Sequence, residues 1–421
     1  MTQDITDGRF VEEFDIHDPS YGERTTAAEA ELRGKCPVAW TNNYGGHWNV
    51  SGYHALADGL RDRDRFSAEK YTDEDGTVKG GITIPTVEGY RALPNESDPP
   101  YWDIYRKAIA RHLAPGAIEK RRPLIQRYAT EVIDHMIEKG EADFTMEVGS
   151  PVTALITLDI VGFPLEDWRV YADAIHRTFT ADPGNDSGDH LGPIRDKILD
   201  EVVARRAAPR EGDDRRLIDE LVSVPVDGHV LDDNEVQDLI YDIFVGGFDT
   251  TAGLLAGTLK YLEDKPEVKQ QLLDDEDFLK TATEEFLRFI SPAVGLGKTA
   301  TTDIELEGQT IKAGEKMWFM YRAANWDPAE FPNPEVVDLE RMPNRHFAFG
   351  AGIHRCVGSN LARAVFQIVL VEFLTRIPDY TIDHERVQMY RYASTNAGTA
   401  FMPISYTPGP RVAAERILEK L

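Results

Sequence analysis

The stretch FGAGIHRCVG, Phe349 to Gly358, constrains this chain more than any other, because it sets one cysteine inside a loop of small residues and then runs into an apolar segment. Gly350, Gly352 and Gly358 carry no Cβ, so the backbone can turn left-handed and pass close to a flat ligand, with the Cys356 sulfur aimed at its centre. The following LARAVFQIVLVEFL is apolar nearly throughout and predicts a buried helix. That helix begins near the sulfur, and the partial positive charge of its N-terminus favours a thiolate. A lone cysteine is more often a small buried hydrophobe; a thiolate held in such a loop is a metal ligand.

The spacing Phe349-x-x-Gly352-x-x-x-Cys356-x-Gly358, with Arg355 beside the sulfur, resembles the haem-thiolate loop of the cytochrome P450 family. The resemblance implies that Cys356 is the proximal ligand to the iron of haem b, that Phe349 packs near the sulfur, and that His354 reaches a haem propionate. A thiolate ligand pushes electron density onto iron and favours O–O cleavage.

A second motif lies on a helix predicted to begin near Asp232, where Asp232 and Glu235 have capping-box spacing. Apolar positions continue from Val236 to Leu262 until Pro266 forbids extension, which predicts about thirty residues, roughly 45 Å at 1.5 Å per residue. At its middle stands Gly246-Gly247-Phe248-Asp249-Thr250-Thr251. Two glycines cost about 1 kcal/mol each relative to Ala. The missing side chains leave room for a flat ligand and a diatomic molecule, while a Thr hydroxyl can draw a backbone carbonyl out of the helical ladder and bend it. The segment is similar to the family's oxygen-activation motif, which implies Gly246 against the cofactor and Asp249 and Thr250 as the catalytic acid-alcohol pair. Asp242, eight residues before Thr250, falls near the same face; it either presents a carboxylate to the substrate pocket, favouring substrates with a polar or basic group, or sits solvated on the helix's other edge. Val245 is taken as a pocket residue beside it.

Other positions follow in chain order. Helices are expected near Tyr21 to Arg33 and Tyr53 to Arg61, with HWNV as a strand, and residues 71 to 97 read as a long surface loop which the resemblance places over the substrate pocket. Within it Ile82 and Ile84 either point inward or form a short edge strand. Asp98-Pro99-Pro100 opens a helix on which Trp102 and Arg106 share a face; the family's Trp-x-x-x-Arg pair implies a hydrogen-bonded propionate. Residues 117 to 207 predict three or four amphipathic helices, broken by a lid loop between Phe179 and Leu191. Glu285-x-x-Arg288 resembles the structural network behind the haem, with Arg341 as third member. The segment from Ser291 to Phe319 alternates in strand fashion, with turns at Glu307-Gly308 and Ala313-Gly314. Val294 and Leu296 are taken to line the pocket. Lys298 stands where the family usually has an Arg to a propionate; it keeps the charge and loses the bidentate fork.

The fold expected is mainly α with small β-sheets, a single cytochrome P450 domain over 1–421 with residues 1–20 loosely ordered, and haem held between the long mid-chain helix and the Cys356 helix. A net charge of −27 argues against nucleic acid, since phosphate binding needs a basic footprint. No run of 18 apolar residues suggests membrane insertion, the acidic N-terminus is unlike an export signal, and two cysteines form neither a disulfide framework nor a zinc cluster, so a soluble cytoplasmic monomer is expected. Two basic islands stand out, 106–122 at +5 and 341–363 at +4. The activity implied is insertion of one oxygen atom from O2 into a small or medium-sized, mainly hydrophobic substrate. No flavin- or ferredoxin-like segment follows the haem loop, so electrons are expected from a separate ferredoxin and its NAD(P)H-dependent reductase. A peroxide-driven enzyme and a non-catalytic haem-thiolate ligand-binding protein are the rivals, and retention of both Asp249 and Thr250 speaks against them.

Overall fold

Apolar side chains recurring every three to four residues drive most of this chain into helices that bury one stripe each. The computed structural model describes residues 5–6, 8–18, 21–180, 189–390 and 395–413. Its α-helices are α1 (Tyr21–Lys35), α2 (Tyr53–Arg61), α3 (Tyr101–Ala110), α4 (Pro115–Ile137), α5 (Ser150–Val161), α6 (Trp168–Thr180), α7 (Gly192–Ala207) and α8 (Leu217–Ser223). They continue with α9 (Asp233–Gly247), α10 (Asp249–Leu262), α11 (Pro266–Asp274), α12 (Glu276–Ile290), α13 (Tyr321–Asn325) and α14 (Ser359–Arg376). One large apolar core joins α4, α5, α9, α10, α12 and α14, with Phe144 set edge-on against Phe373 at 5.2 Å between ring centres.

A five-stranded sheet forms a second centre, in the order Val38–Thr41, His47–Val50, Lys316–Met320, Gly295–Ala300, Phe66–Ser67. Its middle pair aligns Phe319 with Leu296 and Trp318 with Gly297. The Gly297 amide donates to Ile82 O at 2.7 Å, and the close approach leaves a Cβ there only tight room, 3.0 Å from Lys316 Cε and 3.2 Å from the Ile82 carbonyl. The same contact anchors the segment of residues 81–97 to the sheet.

The mid-chain helix starts as expected: the Asp232 side chain accepts from Glu235 N, and the Glu235 side chain accepts from Asp232 N. It is not one straight rod. Phe248, at φ −82° and ψ −64°, separates α9 from α10, and Thr250 Oγ1 donates to Gly246 O at 2.9 Å. This is the bend expected of a Thr hydroxyl bonding back to the carbonyl four residues earlier. The 30 residues from Asp233 to Leu262 are long and apolar enough to cross a bilayer, but 67% of the most apolar window is buried inside the protein, as befits a core helix.

Residues 8–18 pack against the body of the fold: Glu12 N donates to Trp40 O, Arg9 pairs with Glu315, and Ile16 is buried. One local expectation is corrected. The 71–97 loop begins with a hairpin, Lys70–Thr72 against Val78–Gly80, turned by Gly76 at φ +81°. Four helices, α4 to α7, fill the stretch read as three or four, and most of the lid loop between Phe179 and Leu191 lies outside the described residues.

Candidate active site

The Cys356 loop is shaped by two left-handed glycines. Gly350 has φ +62° and Gly352 φ +69°, and a Cβ on Gly352 would stand 2.1 Å from Leu60 O, so no other residue fits there without displacing α2. Gly358 differs from the expectation: it sits at φ −80° as the residue before α14, and a Cβ there would make only ordinary contact with the Cys356 sulfur at 3.8 Å. The loop is closed by Cys356 N donating to Phe349 O at 2.9 Å and Arg355 N donating to Gly352 O at 3.2 Å. Arg363 stacks over the Phe349 ring at 4.5 Å.

Cys356 opens onto an interior cavity of about 360 Å3. The same cavity is lined by Gly246, Gly247, Thr250 and Thr251 from the bend of the mid-chain helix, by Phe349 and Gly358, and by Arg106 and His354. Burial raises the Cys356 thiol, while the amide of Gly358 and the charges of Arg106 and Arg355 favour its thiolate. A Cβ built on Gly246 would meet nothing within 4 Å, so the helix there faces open space.

At the rim of this space several donors have no protein partner among the described residues. Trp102 Nε1 and His354 Nδ1 are both buried there without a hydrogen bond, and the two rings lie 6.0 Å apart. His354 Nε2 is 3.9 Å from Asp98 Oδ1. Arg106 forms no ion pair among the described residues, and burial lowers its pKa. Lys298 is not on the cavity lining. Its Nζ lies 3.5 Å from Leu60 O and desolvation pulls it down to about 8, a buried ammonium with no carboxylate in contact among the described residues. Such a cluster of desolvated donors is costly unless an anion completes it. Two carboxylates at the edge of a flat group filling the cavity would do so, so these residues fit haem.

The acid-alcohol pair faces two ways. Thr250 lines the cavity, whereas Asp249 turns into the protein and accepts a 2.9 Å hydrogen bond from Tyr390 Oη. Burial pushes the Asp249 carboxyl up to about 6, and the Tyr390 hydroxyl opposes that rise. Tyr390 is itself buried, stacked on Phe179 with ring centres 5.8 Å apart. Nothing in the sequence pointed to Tyr390, because its link to Asp249 spans 141 residues. Tyr321 was missed for the same reason; it lines the cavity and lies 3.3 Å from where a Gly350 Cβ would stand.

Behind the site, Glu285 and Arg288 are completely buried and form two 2.8 Å hydrogen bonds. Arg341 Nε donates to Glu285 Oε2 at 3.1 Å, as expected, and Asn344 Nδ2 and Asp338 N complete the carboxylate's shell. The substrate-pocket residues divide. Ile82, Asp242, Val245 and Leu296 line the cavity. Ile84 does not: it packs with Ile16, Leu32 and Trp318 in a small core beneath the docked N-terminal segment. Val294 is also turned away, against Phe14, Ala28 and Ala397, because its backbone is held between Thr395 O and Arg322 N and Ala293 takes the cavity side. Asp242 is not on a solvated edge; its Oδ2 accepts from Asn95 Nδ2 at 2.9 Å inside the protein.

A mainly helical fold with small sheets, a glycine-shaped cysteine loop and a kinked Gly-Gly-x-Asp-Thr helix facing one cavity define the class of haem-thiolate monooxygenases. The family model for cytochrome P450 matches residues 88–378, and the chain belongs to that family, oxidoreductases that bind protohaem through a cysteine-ligated iron. Among its relatives, the steroid C26-monooxygenase of Mycobacterium tuberculosis (strain ATCC 25618 / H37Rv) is 29% identical over 97% of this chain and 98% of its own length. The polyketide biosynthesis cytochrome P450 PksS of Bacillus subtilis (strain 168) is 32% identical over 67% of this chain and 69% of its own. The solved structure of Mycobacterium marinum cytochrome P450 CYP268A2 in complex with pseudoionone superposes with a TM-score of 0.84 at 27% identity, covering 95% of this chain and all of that one.

Proposed function

We propose that this P450 inserts one oxygen atom from O2 into a small or medium-sized, mainly hydrophobic organic molecule, with Cys356 as the iron ligand and electrons from a separate cytoplasmic ferredoxin and reductase. The observation that carries this reading is the meeting of Cys356 and Thr250 on one cavity whose rim holds unpartnered buried donors. Bound there, haem supplies the activation of O2, with two electrons and two protons consumed and the second oxygen atom leaving as water. Trp102, Arg106 and His354 would hold the propionates, and Lys298 would add a point charge behind His354.

The protein's own contribution is proton and water control. The Thr250 hydroxyl donates to the Gly246 carbonyl and, on the cavity wall, keeps acceptor capacity for a water. Asp249, poised at about 6, can take up and give up a proton near neutrality. Its hydrogen bond from Tyr390 Oη holds it away from the cavity. The largely apolar wall, including Ile82, Val245 and Leu296, suits hydrophobic substrates and excludes bulk water.

The ferredoxin reading rests on the two basic islands, which adjoin: Asn360 Nδ2, in the first turn of α14, donates to Leu113 O beyond α3 at 3.1 Å. Their charge is partly spent within the chain. Lys107 pairs with Asp227, Arg111 with Glu220 and Arg363 with Glu284, while Arg121 donates to the His112 and Ala117 carbonyls.

The test is spectroscopic. Reduced protein under carbon monoxide should show the red-shifted Soret band of a thiolate ligand, and Cys356→Ala should lose it; a band at the histidine-ligated position in folded protein would overturn the reading. Thr250→Ala should keep haem and substrate affinity while diverting electrons to hydrogen peroxide, and fully coupled turnover in that variant would remove Thr250 from proton delivery.

A further inference from the structure

Asp242 stands one helical turn before Gly246 and two before Thr250, on the same cavity as both, with its carboxyl deep inside the protein. A cavity for purely apolar molecules has no use for a carboxyl, and burying one without a charged partner is costly. Among the described residues its one hydrogen bond is the 2.9 Å donation from Asn95 Nδ2. Among the described residues no lysine or arginine pairs with it, and Lys70, the cation that acts on it, is bound elsewhere, as are Arg195 and Lys316. Lys70 Nζ is bound to Glu96 at 2.6 Å and to Tyr90 O at 2.7 Å. Arg195, on α7, is bound to Asp238 at 2.9 Å and to Gln237. Lys316 donates to the Gly80 and Gly81 carbonyls.

We infer that Asp242, oriented by Asn95, is the substrate-selecting group of this cavity, and that the preferred substrates are apolar molecules carrying a cationic nitrogen roughly 12 Å, the rise of eight helical residues, from the carbon presented at Thr250. This rests on the reading of the cavity as the haem and substrate site. Glu96 and Asp238 make the position still more negative, and Lys70 offsets them only in part. Burial first, then Glu96, pushes the Asp242 carboxyl up to about 8, so the free protein holds it neutral at pH 7. A cation entering the cavity reverses that preference: the carboxyl ionises, its proton passes to solvent, and an ion pair forms. A neutral guest leaves the proton where it is. The flanking wall, with Ile82, Val87, Ile243 and Leu296, receives the rest of the molecule.

The test uses the haem-loaded protein and two matched series, alkyltrimethylammonium ions of hexyl to decyl length and the hydrocarbons in which carbon replaces nitrogen. Neither can ligate iron, and the two have nearly the same shape. Titration calorimetry at pH 7 in buffers of different ionisation enthalpy gives affinity and proton release together. The cations should release close to one proton and the hydrocarbons none. Asp242→Asn should weaken the cations by about tenfold or more, the scale of a lost buried charge pair, and leave the hydrocarbons within about twofold. Asp242→Glu should restore part of the cation affinity. Equal loss of both series in Asp242→Asn, an unchanged affinity ratio, or no binding of cations by the parent would overturn the inference. The carbon monoxide band is recorded for every variant: its loss in the parent would instead condemn the haem reading, and its retention shows that a variant has folded.

Discussion

Replacing Asp249 by Asn should make this protein more stable and a poorer catalyst, and the stability gain should depend on pH. The Asp249 carboxyl is raised from an ordinary 3.8 to about 6 by burial, so between these values the folded state holds a proton that the unfolded state has lost. Stability therefore falls as pH rises through this window and is flat above it. At 1.36 kcal/mol per pH unit, the cost of burying the ionised carboxyl is about 3 kcal/mol at pH 8 and about half of that at pH 5. Asparagine cannot ionise and still offers a carbonyl oxygen to Tyr390 Oη, so it avoids the cost and keeps the hydrogen bond. Denaturant unfolding of both proteins at pH 5 and pH 8 gives the two differences, and comparing them cancels every titration the proteins share. The advantage of Asp249→Asn should be larger at pH 8 by about 1.4 kcal/mol. Turnover should fall by about 10² or more, the scale of a lost proton-transfer group. An advantage independent of pH, or a variant less stable at pH 8 than its parent, would refute the argument that Asp249 is held as a costly, poised acid.

Glu285→Ala strands Arg288 in a fully buried site and removes the partner of Arg341, and should cost about 3 to 5 kcal/mol, read as a lower denaturation midpoint together with faster haem loss. The electron donor is best probed at Lys120, exposed in the 106–122 island and in no ion pair among the described residues, rather than at Lys107 or Arg111, whose charges are already balanced. Lys120→Glu should slow the first electron transfer from an acidic ferredoxin, and the difference should shrink as added salt shortens the Debye length to about 8 Å at 0.15 M. Rates that match the parent across the whole salt series would put the docking site elsewhere.

What the sequence determined by itself was everything carried by local spacing. The Cys356 loop, the Asp232–Glu235 cap, the Gly-Gly bend at Thr250, the limits of α2 and the Glu285–Arg288 pair each depend on residues within a few positions of one another, and backbone sterics, capping and helical periodicity act at that range. Only the tertiary structure decided which way side chains turn once distant segments meet. Ile84 and Val294 looked as fit for the pocket as Ile82 and Leu296, and they face other cores because the N-terminal segment and the backbone near Thr395 pack against them. Asp249 turned from the cavity to Tyr390, and the basic islands found acidic partners more than a hundred positions away, at Asp227 and Glu220. Asp242 could be read as solvated or as facing the pocket until Asn95, 147 residues distant, supplied its hydrogen bond. The physical reason is the same throughout: a partner's direction, charge and dryness arise from packing between elements, and no periodicity along the chain encodes them.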